Sequence, residues 1–576
     1  MSTIKRNFFG KMRMLLRFLT LLIFLSLSQF LHSEENFSPD LTVMIPMRDG
    51  YELSADIYFP AGDRAAKAPC ILLRSPPGRK AMPWVGYASL THFGYVVVMQ
   101  DTRNALDVHG KTAPFITDGW GDLQDGYDTV EWLAKSPYTN GKIGTLGFSA
   151  VGCTQMLMAP AAPPSLKCQY IGVAAGSLYH HGIFPGGQLL KNQVEGWLGY
   201  YSRDSGVLSF VISQPFYTPF WESLDTIKVA SQIKVPGFIY GGWYDTFLEG
   251  TLDSFISRHN QGGEGAKGKQ KLLIGPWTHW WPISSKLGDF PVPKEGFSPP
   301  YDMSPQRWFD FYLKGIENGV EQLPAVTYYV MGPLDGSPSK GNVWKTADNW
   351  PVPAQEKIFY LNHEQKLIQD VVEESKNVFS FIADPKNPVP TIGGRNLFLD
   401  CGPKDQRPIE TRSDVLVFTS EPLKEDLEIT GKITCKLFVT SNVSDTDFVV
   451  RLCDVYPDGR SILISDGVHR TAIKSAHVKK WTHLQSTQEI EVDLSSVSMV
   501  FAAGHSIRIS ISGSNYPRYE VNHNIGLLEA NSGRYAIAKN KIYTGAKNPS
   551  RIVLPVVTDK ELILPFVDQS SLHKDK

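Results

Sequence analysis

Lys142-Ile-Gly-Thr-Leu-Gly-Phe-Ser-Ala-Val-Gly152 is the stretch whose reading decides the fold. Residues 142–147 read as a short strand, and the apolar residues after Ser149 read as a helix that Pro160 ends. Ser149 then stands on a sharp strand-to-helix turn, the nucleophile-elbow arrangement that lifts a hydroxyl above an α/β sheet. Gly147 and Gly152 suit such a turn, which is strained and closely approached by neighbouring backbone. The second glycine comes one residue later than in G-x-S-x-G. The motif alone therefore leaves the role of Ser149 open.

The flanking chain supplies a sheet for the elbow. Residues 68–73 and 94–100 are apolar runs that read as buried strands, as do 235–240 and 271–275. Residues 118–136 read as a helix, with Leu123, Tyr127, Val130 and Leu133 spaced by three and four and Pro137 at the end. Strands alternating with helices predict a mostly parallel sheet covered on both faces, an α/β fold.

An elbow serine needs a base, and the base needs an orienting carboxylate. After such a serine the chain order is acid, then histidine. Asp245 follows one predicted strand through Gly241-Gly242-Trp243-Tyr244, and His279 follows the next through Pro276-Trp277-Thr278. Singly, Asp245 reads as a helix N-cap and His279 as a histidine packed among Trp277 and Trp280. Together, in this order and context, Ser149, Asp245 and His279 read as nucleophile, acid and base. The Ala150 N–H, just after the nucleophile, is the expected first oxyanion donor. Such an acyl-enzyme route needs no metal or organic cofactor. A base must be neutral, so activity is expected to fall below about pH 6.5.

Further out the pattern changes twice. Residues 179–233 hold two aromatic-rich stretches, 189–200 and 217–230, that read as helices of a cap over the sheet. From about residue 340 short strands recur with turn residues between them, Pro457-Asp-Gly-Arg460 reading as a hairpin turn. This predicts an all-β C-terminal domain, a jelly roll. Asp445, Asp447, Asp454 and Asp458 match no EF-hand spacing and read as turn and surface residues, and His180-His181 as loop residues rather than metal ligands. At the N-terminus, Lys5, Arg6, Lys11, Arg13 and Arg17 precede an apolar run of about ten residues, the pattern of a secretory signal. The expected division is a signal at 1–33, core at 34–178, cap at 179–233, core at 234–339 and β domain at 340–576, exported to the periplasm or medium, with no membrane contact after signal cleavage.

Composition excludes other classes. Among 576 residues, 57 Lys+Arg balance 58 Asp+Glu, which leaves no basic excess for nucleic acid. Aromatics at 11 % with only 20 % charged residues argue for folded structure rather than disorder. Six cysteines without C-x-x-C spacing are too sparse for a disulfide scaffold.

Ordered motifs add a resemblance. Gln100-Asp-Thr-Arg103, Asp125-Gly-Tyr-Asp-Thr-Val-Glu-Trp-Leu-Ala134, Gly242-Trp-Tyr-Asp245, Gly275-Pro-Trp-Thr-His279, Arg307-Trp-Phe-Asp-Phe-Tyr-Leu-Lys-Gly315 and residues 445–459 are its carriers. Through them the chain resembles the cocaine esterase / X-Pro dipeptidyl-peptidase (CocE/NonD) family of serine hydrolases from about residue 47 to 566. The resemblance implies an α/β-hydrolase core and the same three catalytic residues. It also implies a tyrosine hydroxyl as second oxyanion donor, at a position where this chain has Pro77, which has neither hydroxyl nor N–H. The Gly78 N–H, Trp84 and Tyr87 are the nearest replacements in sequence. Family members that hold a substrate amine typically carry a Glu two residues after the nucleophile; here that residue is Val151. The expectation is a small ester or acyl substrate, its apolar part walled by Trp243, Tyr244, Trp277 and Trp280. X-Pro dipeptidyl-peptidase or acylase activity and a catalytically weak binding protein are the alternatives. Oligomeric state is left open.

Overall fold

A computed structural model describes residues 38–62, 67–81, 86–103, 114–201, 205–280, 286–370, 377–472, 484, 486–526 and 533–557. The signal expected at 1–33 lies outside the described residues. Through the first part of the chain run β1 (Leu41–Pro46), β2 (Glu52–Tyr58), β3 (Ala68–Ser75), β4 (Val96–Asp101), α1 (Asp125–Lys135), β5 (Thr139–Phe148), α2 (Ala150–Met158) and β6 (Leu166–Gly172). Helices α3 (Lys191–Tyr201), α4 (Ser205–Ile212) and α5 (Pro219–Glu222) follow, then β7 (Gly237–Tyr244), α6 (Leu248–Gln261), β8 (Lys271–Thr278), α7 (Pro305–Lys314), β9 (Val326–Val330) and β10 (Val343–Ala347).

The ten strands form one sheet in the order β1-β2-β4-β3-β5-β6-β7-β8-β9-β10. Its centre, from β4 to β9, is parallel, and antiparallel pairs close both edges. Central strands buried on both faces must be apolar throughout, and β3 and β8 are buried almost end to end. The direction of winding reverses between β3 and β5. In open α/β sheets ligands sit outside the carboxyl ends of the strands at such a reversal. Ser149 follows β5 there, beside the turn that carries Pro77 after β3.

Three helical expectations are corrected. Helix α1 begins at Asp125, not 118, because the Asp118 carboxylate is buried against the Arg74 guanidinium and Gly119 and Gly121 intervene. Of 217–230, only Pro219–Glu222 is α-helical; the Asp225 carboxylate accepts from Tyr217 OH at 2.8 Å and Ile227 N–H at 3.1 Å, turning the chain aside. Helix α4 stands where no helix was expected, beside the α3 foreseen at 189–200.

From Gln355 on, the chain builds a mostly antiparallel eleven-stranded sheet. Its longest pairing joins Leu427–Ser441 to Gln488–Phe501, with a register shift between Lys432 and Thr434. The expected boundary at 340 cuts the β9–β10 hairpin; β10 pairs with β9, and Trp344 packs on Trp277 and Tyr329, so the change of sheet falls after residue 347. One hydrophobic core joins Ile239 and Trp243 of the first sheet, Trp221 of the helical insertion and Val497 and Met499 of the second sheet.

Three of the four aspartates expected at the surface are buried. Asp445 pairs with Arg470 at 2.7 Å, and Asp454 with His505 at 2.9 Å. Asp447 accepts from Gln188 at 2.5 Å and Asn522 at 2.7 Å. Each is drawn in by a donor from another segment, while Asp458 stays exposed in the hairpin turn. His180 and His181 lie in a π-helical turn, Leu178–Ile183, with His181 Nε2 3.1 Å from Asp253. All six cysteines are free thiols.

Candidate active site

Ser149 is held at φ 57, ψ −129, a conformation that costs a non-glycine residue strain and marks a nucleophile elbow. Its N–H donates to Gly172 O at 3.0 Å. The flanking glycines are there for space. A Cβ on Gly147 would lie 2.2 Å from Val151 Cγ1, and one on Gly152 would lie 2.8 Å from Ala174 Cβ. Helix α2 starts at once with Ala150, whose N–H has no intrahelical acceptor by position. No described residue accepts from it.

The structure brings Asp245 and His279 to this turn. Asp245 follows β7 and is fully buried; His279 follows β8 and is 4 % exposed. His279 Nδ1 is 2.7 Å from Asp245 Oδ1, and Nε2 is 2.9 Å from Ser149 Oγ. A carboxylate can only accept, so the network assigns the ring proton to Nδ1 and leaves Nε2 to accept from the serine hydroxyl. Phe247 and Trp280 meet the imidazole at 5.5 Å each, close to edge-on.

The region of Pro77 offers less. The Gly78 N–H is spent on Ser75 O at 3.1 Å, and the Arg79 N–H on Asp101 Oδ1 at 2.6 Å. Tyr87 packs against the core containing Tyr170, Phe238 and Trp277, where burial pushes its phenol up to about 12. Trp84 lies outside the described residues.

Beside Ser149 opens a cavity of about 110 Å³. Its walls come from Phe115 and Ile116, the insertion (Leu178, Val194, Trp197, Phe210, Trp221) and Phe247. Among its described lining residues the polar side chains are Ser149, Gln193, the indoles of Trp197 and Trp221, and the Cys153 thiol, which burial pushes up to about 12. No charged side chain lines it among the described residues.

The expected wall residues are elsewhere. Trp243 is buried and donates to Tyr329 O at 2.7 Å; Trp277 is buried and donates to Gly296 O at 3.0 Å. Tyr244 is buried and donates to Leu463 O at 3.1 Å, tying β7 to the second sheet. All three lie on strands covered on both faces, so their rings enter the core. Trp280 stays beside His279 and donates to Leu397 O at 3.1 Å, outside the cavity lining. Two sequence signals mark the walls that the structure shows: Val194, Trp197 and Leu198 share one face of α3, and Ser205–Ile212 contains no charge.

Comparison with known proteins places this geometry among relatives. The family model described as X-Pro dipeptidyl-peptidase (S15 family) matches residues 49–206 and 195–281. The model of the X-Pro dipeptidyl-peptidase C-terminal non-catalytic domain matches 318–553. A cocaine esterase of Rhodococcus sp. (strain MB1 Bresler) is 29 % identical over 91 % of this chain and 99 % of its own length. The crystal structure of an aminopeptidase from the marine sediment archaeon Thaumarchaeota archaeon superposes with a TM-score of 0.77 at 23 % identity, covering 91 % of this chain and 99 % of that one. An α-amino acid ester hydrolase structure gives 0.74 at 24 % identity, over 92 % and 100 %.

Proposed function

The chain belongs to the cocaine esterase / X-Pro dipeptidyl-peptidase (S15) family of serine hydrolases, and on that premise we propose that Ser149, His279 and Asp245 hydrolyse carboxylic esters with an apolar, uncharged acyl group. Hydrolysis of ester or peptide bonds is the family's chemistry. Ser149 Oγ attacks the substrate carbonyl carbon as His279 Nε2 takes its proton. Asp245 holds the ring and stabilises the imidazolium. The Ala150 N–H donates to the carbonyl oxygen as it gains negative charge. The leaving alcohol takes the proton from His279, water then attacks the acyl-enzyme with His279 again as base, and the acid departs.

The observation that carries this reading is the hydrogen-bonded run Asp245–His279–Ser149 at the mouth of a cavity that no charged side chain lines among the described residues. Among the described residues no carboxylate lines the cavity to meet an ammonium group, and a buried ammonium without one is costly. The peptidase family model favours X-Pro dipeptide cleavage as a second reading, against which the lack of a carboxylate among the described lining residues counts. We read the helical insertion as a cap, because α3, α4 and α5 supply the wall opposite Ser149, and the C-terminal sheet as a jelly roll. Export rests on the basic and apolar pattern of residues 1–33; N-terminal sequencing of protein recovered outside the cytoplasm tests it.

p-Nitrophenyl acetate, hexanoate and phenylacetate, set against phenylglycine methyl ester and Gly-Pro-p-nitroanilide, test the reading. Wild type is expected to prefer the larger apolar acyl esters, and Ser149→Ala to be inert. Preference for Gly-Pro-p-nitroanilide would replace it with the second reading. No turnover of any substrate by wild type would favour a binding protein.

A further inference from the structure

Among the described residues, the Asp245 carboxylate is held from one side only. Its Oδ1 faces His279, but no described residue donates to the buried Oδ2. Its placement therefore depends on the chain around it. The Asp245 N–H donates to Gly242 O at 2.9 Å, and the Leu248 N–H to Asp245 O at 3.2 Å. Among the described residues, the one side-chain tie from the helical insertion comes through the next residue: Thr246 Oγ1 donates to Gln193 Oε1 at 2.6 Å.

Gln193 lies in α3, 8 % exposed, and its side chain lines the cavity. Its Nε2 donates to Gly182 O at 2.8 Å, in the π-helical turn that also lines the cavity. The amide can face only one way, because the Gly182 carbonyl must receive a donor. One side chain thus joins three pieces: α3, the π-helical turn and the acid loop. Along that loop Asp245 holds His279 Nδ1, Thr246 holds Gln193, and Phe247 both lines the cavity and packs on the His279 ring.

We propose that Gln193 is a positioning residue that, through Thr246, holds Asp245 and hence His279 in register with Ser149, so that the helical insertion fixes the alignment of the acid and base. This rests on the triad reading above. Gln193 need not touch the reacting atoms. Its contribution belongs to the chemical step rather than to binding, and it acts even on an acyl group too small to fill the cavity.

The test is steady-state kinetics on p-nitrophenyl acetate with Gln193→Leu, Thr246→Val and the double variant. Each single change is expected to lower kcat about tenfold, the worth of one oriented hydrogen bond, with KM within about twofold. The double variant should lose no more than either single one, because both changes cut the same tie. Gln193→Leu is buried and its folding is checked by thermal melting; Thr246→Val, nearly isosteric at the other end of the bond, carries the test if that variant does not fold. A Thr246→Val kcat within twofold of wild type overturns the proposal. So does a double-variant loss near the product of the two, about a hundredfold, or a rise in KM at unchanged kcat. If the triad reading itself fails, wild type shows no hydrolysis dependent on Ser149; if only this tie fails, wild type is active and the variants match it.

Discussion

On the sheet side of the cleft, Ser149, His279 and Asp245 stand at the ends of β5, β8 and β7, joined by contacts of 2.9 and 2.7 Å. On the helical side, Leu178, Val194, Trp197, Phe210 and Trp221 face the same space with no charge and almost no hydrogen-bonding capacity. The first wall is directional: a shift of an ångström there breaks a proton path. The second is not, because apolar contact scales with area and tolerates changes of shape. The difference teaches a division of labour. Substitutions on the sheet wall should change the rate for every ester alike, as should loss of Gln193, the polar tie from α3 to the acid loop; those of the apolar residues on the helical wall should change which ester is preferred.

The largest effect expected is Ser149→Ala, a loss of about 10⁶-fold in kcat on every ester, measured with highly purified protein. Asp245→Asn comes next. It keeps shape but favours the wrong histidine tautomer, so kcat should fall about 10⁴-fold with KM little changed, again for all acyl groups. A loss confined to large acyl groups would erase the distinction between the walls. Phe220→Ala tests the opposite wall, where Phe220 meets Phe210 at 5.2 Å and Trp221 at 4.8 Å. Competition between hexanoate and acetate esters should show kcat/KM for hexanoate falling about tenfold, with acetate changed less than threefold. Equal losses on both would mean that the apolar residues of the helical wall, and not Gln193 alone, serve the chemistry.

The smallest effect on turnover is expected at the seam behind the helical wall. Burial raises the Asp447 carboxyl to about 7, against the attraction of Arg470. The folded protein then keeps a proton between about pH 4 and 7 that the unfolded chain has given up. For this group ν is larger in the native state, so its contribution makes stability fall as pH rises through that window and level off above it. Asp447→Asn should flatten this part of the melting-temperature profile and leave kcat within twofold. An unchanged slope would show that Asp447 is ionised throughout.

Legibility in the sequence divides along the same line. The sheet wall could be read because its signals are local: an apolar run, a glycine pair around Ser149, and an acid and a histidine just past further runs. The second oxyanion donor could not, since Pro77 has no hydroxyl or N–H and the Gly78 N–H beside it is spent on Ser75 O. The helical wall was misplaced onto Trp243, Tyr244 and Trp277, aromatics adjacent in sequence to the acid and the histidine. Nearness along a strand does not tell which way a ring points when both faces of the sheet are covered. Phe115, Trp221 and Leu397 meet at the cavity from three separate stretches, a tertiary fact without a local signature. The buried Asp445, Asp447 and Asp454 were misread likewise, because Arg470, Gln188, Asn522 and His505 come from elsewhere in the chain.

The central claim, that Ser149 is a nucleophile activated by His279, is tested most directly by labelling with a fluorophosphonate and mapping the adduct by peptide mass spectrometry. The account predicts stoichiometric modification of wild type on Ser149, none on Ser149→Ala, and strongly slowed labelling of Asp245→Asn. An unmodified Ser149 in folded wild-type protein, or an adduct on another residue that persists in Ser149→Ala, would contradict it.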